Sequence, residues 1–154
     1  MSQWTHVIGA IYIDTCIESK NIVKIINRDI EKAPKITGSE ADCDIFINLL
    51  SGYNVYNSCD CESCEYNKYN ASTQFECPNA NFQTCACISI VGDLRDKTGK
   101  DTKQEIINFI NYLQKDRQYE IMYCAFTVVD ELYGSYYLEQ NDYKLIWKFK
   151  KGGN

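Results

Sequence analysis

The chain has 154 residues, 45% hydrophobic and 24% charged, with two prolines and eight glycines. That composition predicts one soluble domain and excludes disordered, fibrous and linker-rich architectures. Sixteen Lys and Arg against twenty-one Asp and Glu leave a net charge of −5, which argues against a general polyanion-coating role. No apolar run reaches the length of about eighteen residues needed for a membrane span. The opening Met1-Ser2-Gln3-Trp4-Thr5-His6 has no basic region ahead of its apolar run, so no signal peptide is expected and the cytosol is the expected compartment.

In chain order, Thr5 to Asp14 is β-branched and aromatic without helical period, and predicts a strand. From Ile17 to Lys32, Ile22, Ile25, Ile26, Asp29 and Ile30 recur at three-four spacing opposite Lys20, Lys24, Arg28 and Glu31. This is an amphipathic helix, and Pro34 stops it. Thr37-Gly38-Ser39 supplies turn chemistry before a second strand at Cys43 to Leu50. Gly52 can bend that strand or open a hairpin with Tyr53 to Tyr56. Residues 57–83 have neither period and form an irregular Cys-rich insertion. Thr84 to Asp93 returns to strand character, and Asp101 or Thr102 is placed to cap a helix running to about Asp116. Its apolar face is Ile106, Ile107, Ile110 and Leu113. Tyr119 to Asp130, Ser135 to Glu139 and Tyr143 to Lys150 are further strands. The order predicts a single α+β domain over 1–154, with two helices on one face of an antiparallel sheet. It is the split βαβ arrangement resembling ferredoxin-like folds, with an extra C-terminal hairpin and the insertion at 57–83.

Nine cysteines form the one compositional anomaly, and six of them lie within thirty residues: Cys59, Cys61, Cys64, Cys77, Cys85 and Cys87. An odd count without a secretory signal, in a chain able to bury a core unaided, argues against a disulfide framework. Clustered thiols in a reducing compartment point instead to a metal. Cys59-x-Cys61-x-x-Cys64 with Cys77 offers four thiolates for a tetrahedral structural zinc. Cys85 and Cys87, two apart on a strand, share a face and are the substitutes for Cys59 or Cys77. Free thiols are the competing reading, whereas Cys16, Cys43 and Cys124 read as small apolar fillers. Catalytic zinc is less favoured than structural zinc, because such sites keep an open position and commonly use histidine. The single histidine, His6, is far in sequence from the cysteines and reads as a strand residue with a satisfied ring.

Charge is unevenly spread. Residues 36–94 hold eight acids and one base, Lys68, for −7, while the rest holds thirteen acids and fifteen bases, for +2. A solvated loop face accounts for this, and so does a recognition surface. Asp60, Glu62, Glu65, Tyr66 and Tyr69 make the insertion acidic and tyrosine-bearing. Tyrosine suits interfaces because it buries large area and keeps a polar tip. The run Gly92-Asp93-Leu94-Arg95-Asp96 lies where a strand turns toward a helix. It is either a ligand loop using Asp93, Arg95 and Asp96, or a glycine-bearing turn with a local Asp–Arg pair. No phosphate-binding glycine loop and no Ser/His/Asp pattern is present in the sequence.

The stretches Trp4-Thr5-His6-Val7, Thr37-Gly38-Ser39-Glu40 and Gly92-Asp93-Leu94-Arg95-Asp96 resemble short segments of small uncharacterised phage and prophage proteins from low-GC Gram-positive bacteria. The resemblance touches scattered scaffold segments and none of the insertion, and it transfers no catalytic residue. Small acidic phage proteins of this size include many inhibitors of host defence, anti-CRISPR proteins among them. The resemblance therefore implies a non-enzymatic inhibitor in the bacterial cytoplasm. Its partner would be a host protein, such as one with a nucleic-acid-binding groove that the acidic segment occupies, without direct nucleic-acid or membrane binding. The alternative from another class is a small zinc-containing enzyme or ligand binder, with its site at 92–96 or at the cysteines.

Overall fold

A computed structural model of the chain describes residues 2–15, 17, 19–50, 84–115, 118–141 and 144–152. Eight elements follow one another: β1 (Trp4–Thr15), α1 (Ser19–Lys32), β2 (Asp44–Leu49), β3 (Thr84–Arg95), α2 (Gly99–Gln114), β4 (Glu120–Asp130), β5 (Gly134–Asn141) and β6 (Lys144–Lys151). The strands form one six-stranded sheet in the order β2-β3-β1-β4-β5-β6, and every neighbouring pair is antiparallel. The architecture is α+β. β3 lies between β1 and β2, and the C-terminal pair β5–β6 widens the sheet beyond β4. The expected hairpin at Tyr53 to Tyr56 and the insertion at 57–83 lie outside the described residues.

The alternation along β1 decides how the layers stack. Val7, Ile11 and Ile13 are buried, with Thr5 and Thr15, while Ile8 is 62% exposed. Ile22 and Ile26 of α1 and Ile106, Phe109, Ile110 and Leu113 of α2 join one buried cluster with those inward residues and with Ala86, Ile88 and Ile90 of β3. Both helices therefore feed a single core on one side of the sheet, and among the described residues the other side carries no helix. Phe109 stands in the buried stripe of α2 where the sequence suggested Ile107, which is only half-buried.

The ends of the helices follow local chemistry. α1 stops at Lys32, with the Ala33 amide donating to the Ile30 carbonyl at 3.1 Å just before Pro34. α2 begins earlier than the expected Asp101 or Thr102. Thr98 is its N-cap, accepting from the Asp101 amide at 3.1 Å, while the Thr98 hydroxyl donates to the Asp101 carboxylate at 2.7 Å. The cap shifts because Gly99, with no side chain, fits where a Cβ would meet Tyr136 Cε2 at 2.8 Å.

Candidate functional site

Three of the stretches singled out in the sequence meet at one end of the sheet. Antiparallel pairing sets Trp4 opposite Arg95 and His6 opposite Asp93, and on the other side places His6 beside Val129 of β4. The connector at Thr37–Glu40 folds onto the same end. The Ser39 amide donates to the Arg95 carbonyl at 3.0 Å, and a Cβ on Gly38 would lie 2.8 Å from the Arg95 nitrogen. Glycine is required at that close approach of two backbones.

His6 is held between two carboxylates. Its Nδ1 lies 2.6 Å from Asp93 Oδ1 and its Nε2 lies 3.3 Å from Glu131 Oε1. The hydrogen bond with Asp93 raises the imidazole pKa above its ordinary value, and the bond with Glu131 adds to this while partial burial opposes it. Its satisfied ring matches the expectation for a lone strand histidine, although the carboxylates come from β3 and from the turn after β4.

The polar side chains of 92–96 are engaged with one another and with the connector. Arg95 donates to Glu40 and, through Nε and Nη2, to the Ser2 hydroxyl at 3.1 and 2.9 Å. Its Nε is 3.8 Å from Asp96 Oδ2, so the local Asp–Arg pair is the weaker contact and Glu40 supplies the direct one. Asp96, whose φ is +54°, accepts from the Ser39 hydroxyl at 3.0 Å. Lys35 donates to Asp42 at 2.5 Å, which holds that carboxyl below its usual range.

Asp130 was not singled out in the sequence, yet it organises this end. It is 3% exposed and accepts from the Gly99 amide at 2.7 Å, from the Leu132 and Tyr133 amides at 2.9 and 3.2 Å, and from the Gln3 side chain at 3.1–3.2 Å. One carboxylate thus anchors the first turn of α2 and the β4–β5 turn together, where the helix N-terminus favours negative charge. The available signal was local: an Asp ending a strand ahead of Glu131-Leu132-Tyr133-Gly134 is placed to bond the amides two and three residues on. Gly134 itself sits at φ +125°, which only glycine accepts readily.

The proposed metal ligands Cys59, Cys61, Cys64 and Cys77, and the proposed partner residues Asp60, Glu62, Glu65, Tyr66 and Tyr69, lie outside the described residues. Cys85 and Cys87 lie on the same side of β3, the first buried and the second half-buried. Among the described residues, no group of three or more His, Cys, Asp or Glu is placed to hold a metal ion. Cys43 and Cys124 are buried fillers, and burial pushes their thiols up to about 12 and about 11. No helix among the described residues is long and apolar enough to cross a membrane. Comparisons with protein-family models, with curated proteins and with solved structures found no match.

Proposed function

We propose that the chain is a non-enzymatic, phage-type protein that binds and inhibits a host protein in the bacterial cytoplasm through an acidic, tyrosine-bearing surface. The observation that supports this reading is the exterior of the Asp130 end. Glu40, Asp42, Asp93, Asp96 and Glu131 are all exposed there, and Leu132 (66%) and Tyr133 (58%) stand out from the β4–β5 turn that follows Glu131. Two exposed apolar side chains next to Glu131, on a turn pinned by Asp130, offer anchors at small entropic cost beside that acidic group. It adds to the acidic insertion proposed from the sequence, whose Asp60, Glu62, Glu65, Tyr66 and Tyr69 would extend the same charge. A host groove that binds nucleic acid would find that charge complementary. The alternative, a ligand site at 92–96, would require Asp93, Arg95 and Asp96 to exchange His6, Glu40 and Ser39 for the ligand.

For the scaffold we propose a ferredoxin-like split βαβ unit from β1 to β4, extended by β5 and β6. The sheet order, with β3 inserted between β1 and β2, supports it. Structural zinc on Cys59, Cys61, Cys64 and Cys77 belongs to the same proposal, with one equivalent expected by elemental analysis of pure protein.

The functional test is capture from a bacterial lysate with two variants beside the unaltered chain. One reverses Asp60, Glu62 and Glu65 to lysine, and the other carries Leu132→Ser with Tyr133→Ala. Loss of a captured host protein in either variant, with capture by the unaltered chain falling steeply as salt rises, is the expected result. Equal capture by all three removes the acidic surface as the site.

A further inference from the structure

The side of the sheet turned away from the helices is a separate surface, and its side chains can be read across the strands from the registers. One row runs Asp44 (β2), Val91 (β3), Ile8 (β1), Thr127 (β4), Tyr137 (β5) and Lys148 (β6). Ile8 is 62% exposed and Val91 46% exposed. The next row begins at Phe46, 54% exposed, and ends at Ile146, 41% exposed, with the small side chains of Ser89, Ala10 and Ala125 and the exposed Glu139 between. The middle of these rows, from Val91 and Ser89 across to Tyr137 and Glu139, lines a shallow groove of about 570 Å³. Large exposed apolar side chains in contiguous rows are unusual on a face that stays in water.

The order of charges along the first row says what covers it. Its acid is at one edge of the sheet and its lysine at the other, with the uncharged Val91, Ile8, Thr127 and Tyr137 between. A two-fold axis parallel to the strands, passing between β1 and β4, exchanges β2 with β6, β3 with β5 and β1 with β4. Under that operation Asp44 of one copy faces Lys148 of the other, twice, and Phe46 faces Ile146 in the next row. The pattern is self-complementary, as an isologous interface must be. The span suffices as well. Six strands at about 4.8 Å spacing and four side-chain rows at about 6.8 Å, the two above with the His6–Asp93 row and the Tyr12–Cys87 row on either side, cover roughly 800 Å², the usual share per partner in a specific interface. Lys148 also donates to Glu139 of its own chain at 2.9 Å. Both side chains are more than half exposed, so that contact is weak, and the ammonium keeps further donors for a second carboxylate.

We propose that this face closes on the same face of a second copy of the chain, forming a two-fold sheet-on-sheet dimer with crossed Asp44–Lys148 pairs. The inference goes beyond the functional reading above and shares only the Asp93 edge with that surface, and its test needs no host protein, so either can fail alone. Sedimentation equilibrium of the purified full-length chain is expected to show a dimer that weakens as salt rises. Asp44→Lys and Lys148→Glu are each expected to raise the dimer dissociation constant at least tenfold, because each sets like charges together twice. Mixing the two single variants is expected to restore a heterodimer of near-original strength, since Lys at 44 then meets Glu at 148 and the untouched Asp44 meets the untouched Lys148. Ile8→Glu, at an exposed position, is expected to give monomer with unchanged circular dichroism. A chain that is monomeric at all attainable concentrations overturns the proposal and leaves the face to another partner. So does a dimer indifferent to these changes, or a mixture of the two variants that fails to associate.

Discussion

The two sides of β1 carry the same kinds of residue to opposite ends. Ile11 and Ile13 point toward the helices and are fully buried, while Ile8 on the other side is 62% exposed. Residue type does not separate them, since all three are isoleucines in one strand. What separates them is whether a helix lies across that side of the sheet. An apolar side chain contributes to folding only when something removes it from water, and among the described residues the helices lie across only the side that holds Ile11 and Ile13. The covered side is therefore where stability resides, and the open side is where association resides.

The sharpest way to break that contrast is to shorten one isoleucine on each side. Ile11→Ala is expected to cost about 2–5 kcal/mol in urea unfolding, the range for a large-to-small change in a packed core. Ile8→Ala is expected to cost less than about 1 kcal/mol under dilute, monomeric conditions. Comparable losses at both positions would mean that the open side is packed within the chain. Asp130→Ala comes next, at about 2–3 kcal/mol, because it strips charge-assisted bonds from the buried Gly99 amide and from the β4–β5 turn. Loss confined to that turn, with α2 intact by hydrogen exchange, would show that the carboxylate does not anchor the helix.

Gly9→Ala probes the covered side from the opposite direction, by adding volume. A Cβ there would lie 2.0 Å from the Phe126 ring, so the ring must move out of the core, at a cost of roughly 1–3 kcal/mol. Gly9→Ala with Phe126→Leu is expected to recover part of that loss. The smallest effect belongs to the half-exposed His6. Its raised pKa means that the folded state holds the proton more tightly than the unfolded one. Its contribution is fully present below the unfolded value of about 6.5 and disappears as pH rises through the folded value. Solvent screening keeps it below about 1 kcal/mol. NMR titration of His6 is expected to move toward the ordinary histidine value in Asp93→Asn. An unchanged midpoint would mean that Asp93 does not hold the ring.

Residue type and periodicity placed most of the scaffold. The β-branched and aromatic run at 5–14, the three-four stripe of Ile22, Ile25 and Ile26, and the apolar run at 119–130 each match an element to within a few residues, because residue type and the 3.6-residue helical repeat are local properties. The cap of α2 was misplaced because Gly99 is a poor helix residue by itself. Only its crowding against Tyr136 and its bond to Asp130, 31 residues further along, make it the first residue of the helix. The 92–96 segment was legible as polar, but its partners were not. Asp93 meets His6 from 87 residues away and Arg95 meets Glu40 from 55, separations that no local pattern encodes.

What the amino-acid sequence determined by itself is the identity of the strands and helices, the burial of Cys43 and Cys124, and the acidity of the middle of the chain. Each depends on properties that neighbouring residues share, namely period, size and charge. What only the tertiary structure decided is which side of the sheet the helices cover, and that Asp130 ties a helix to a turn. It also decided that Asp44 and Lys148 stand at opposite ends of one row. Those facts depend on strand order and register, set by the joint packing of segments far apart in the chain.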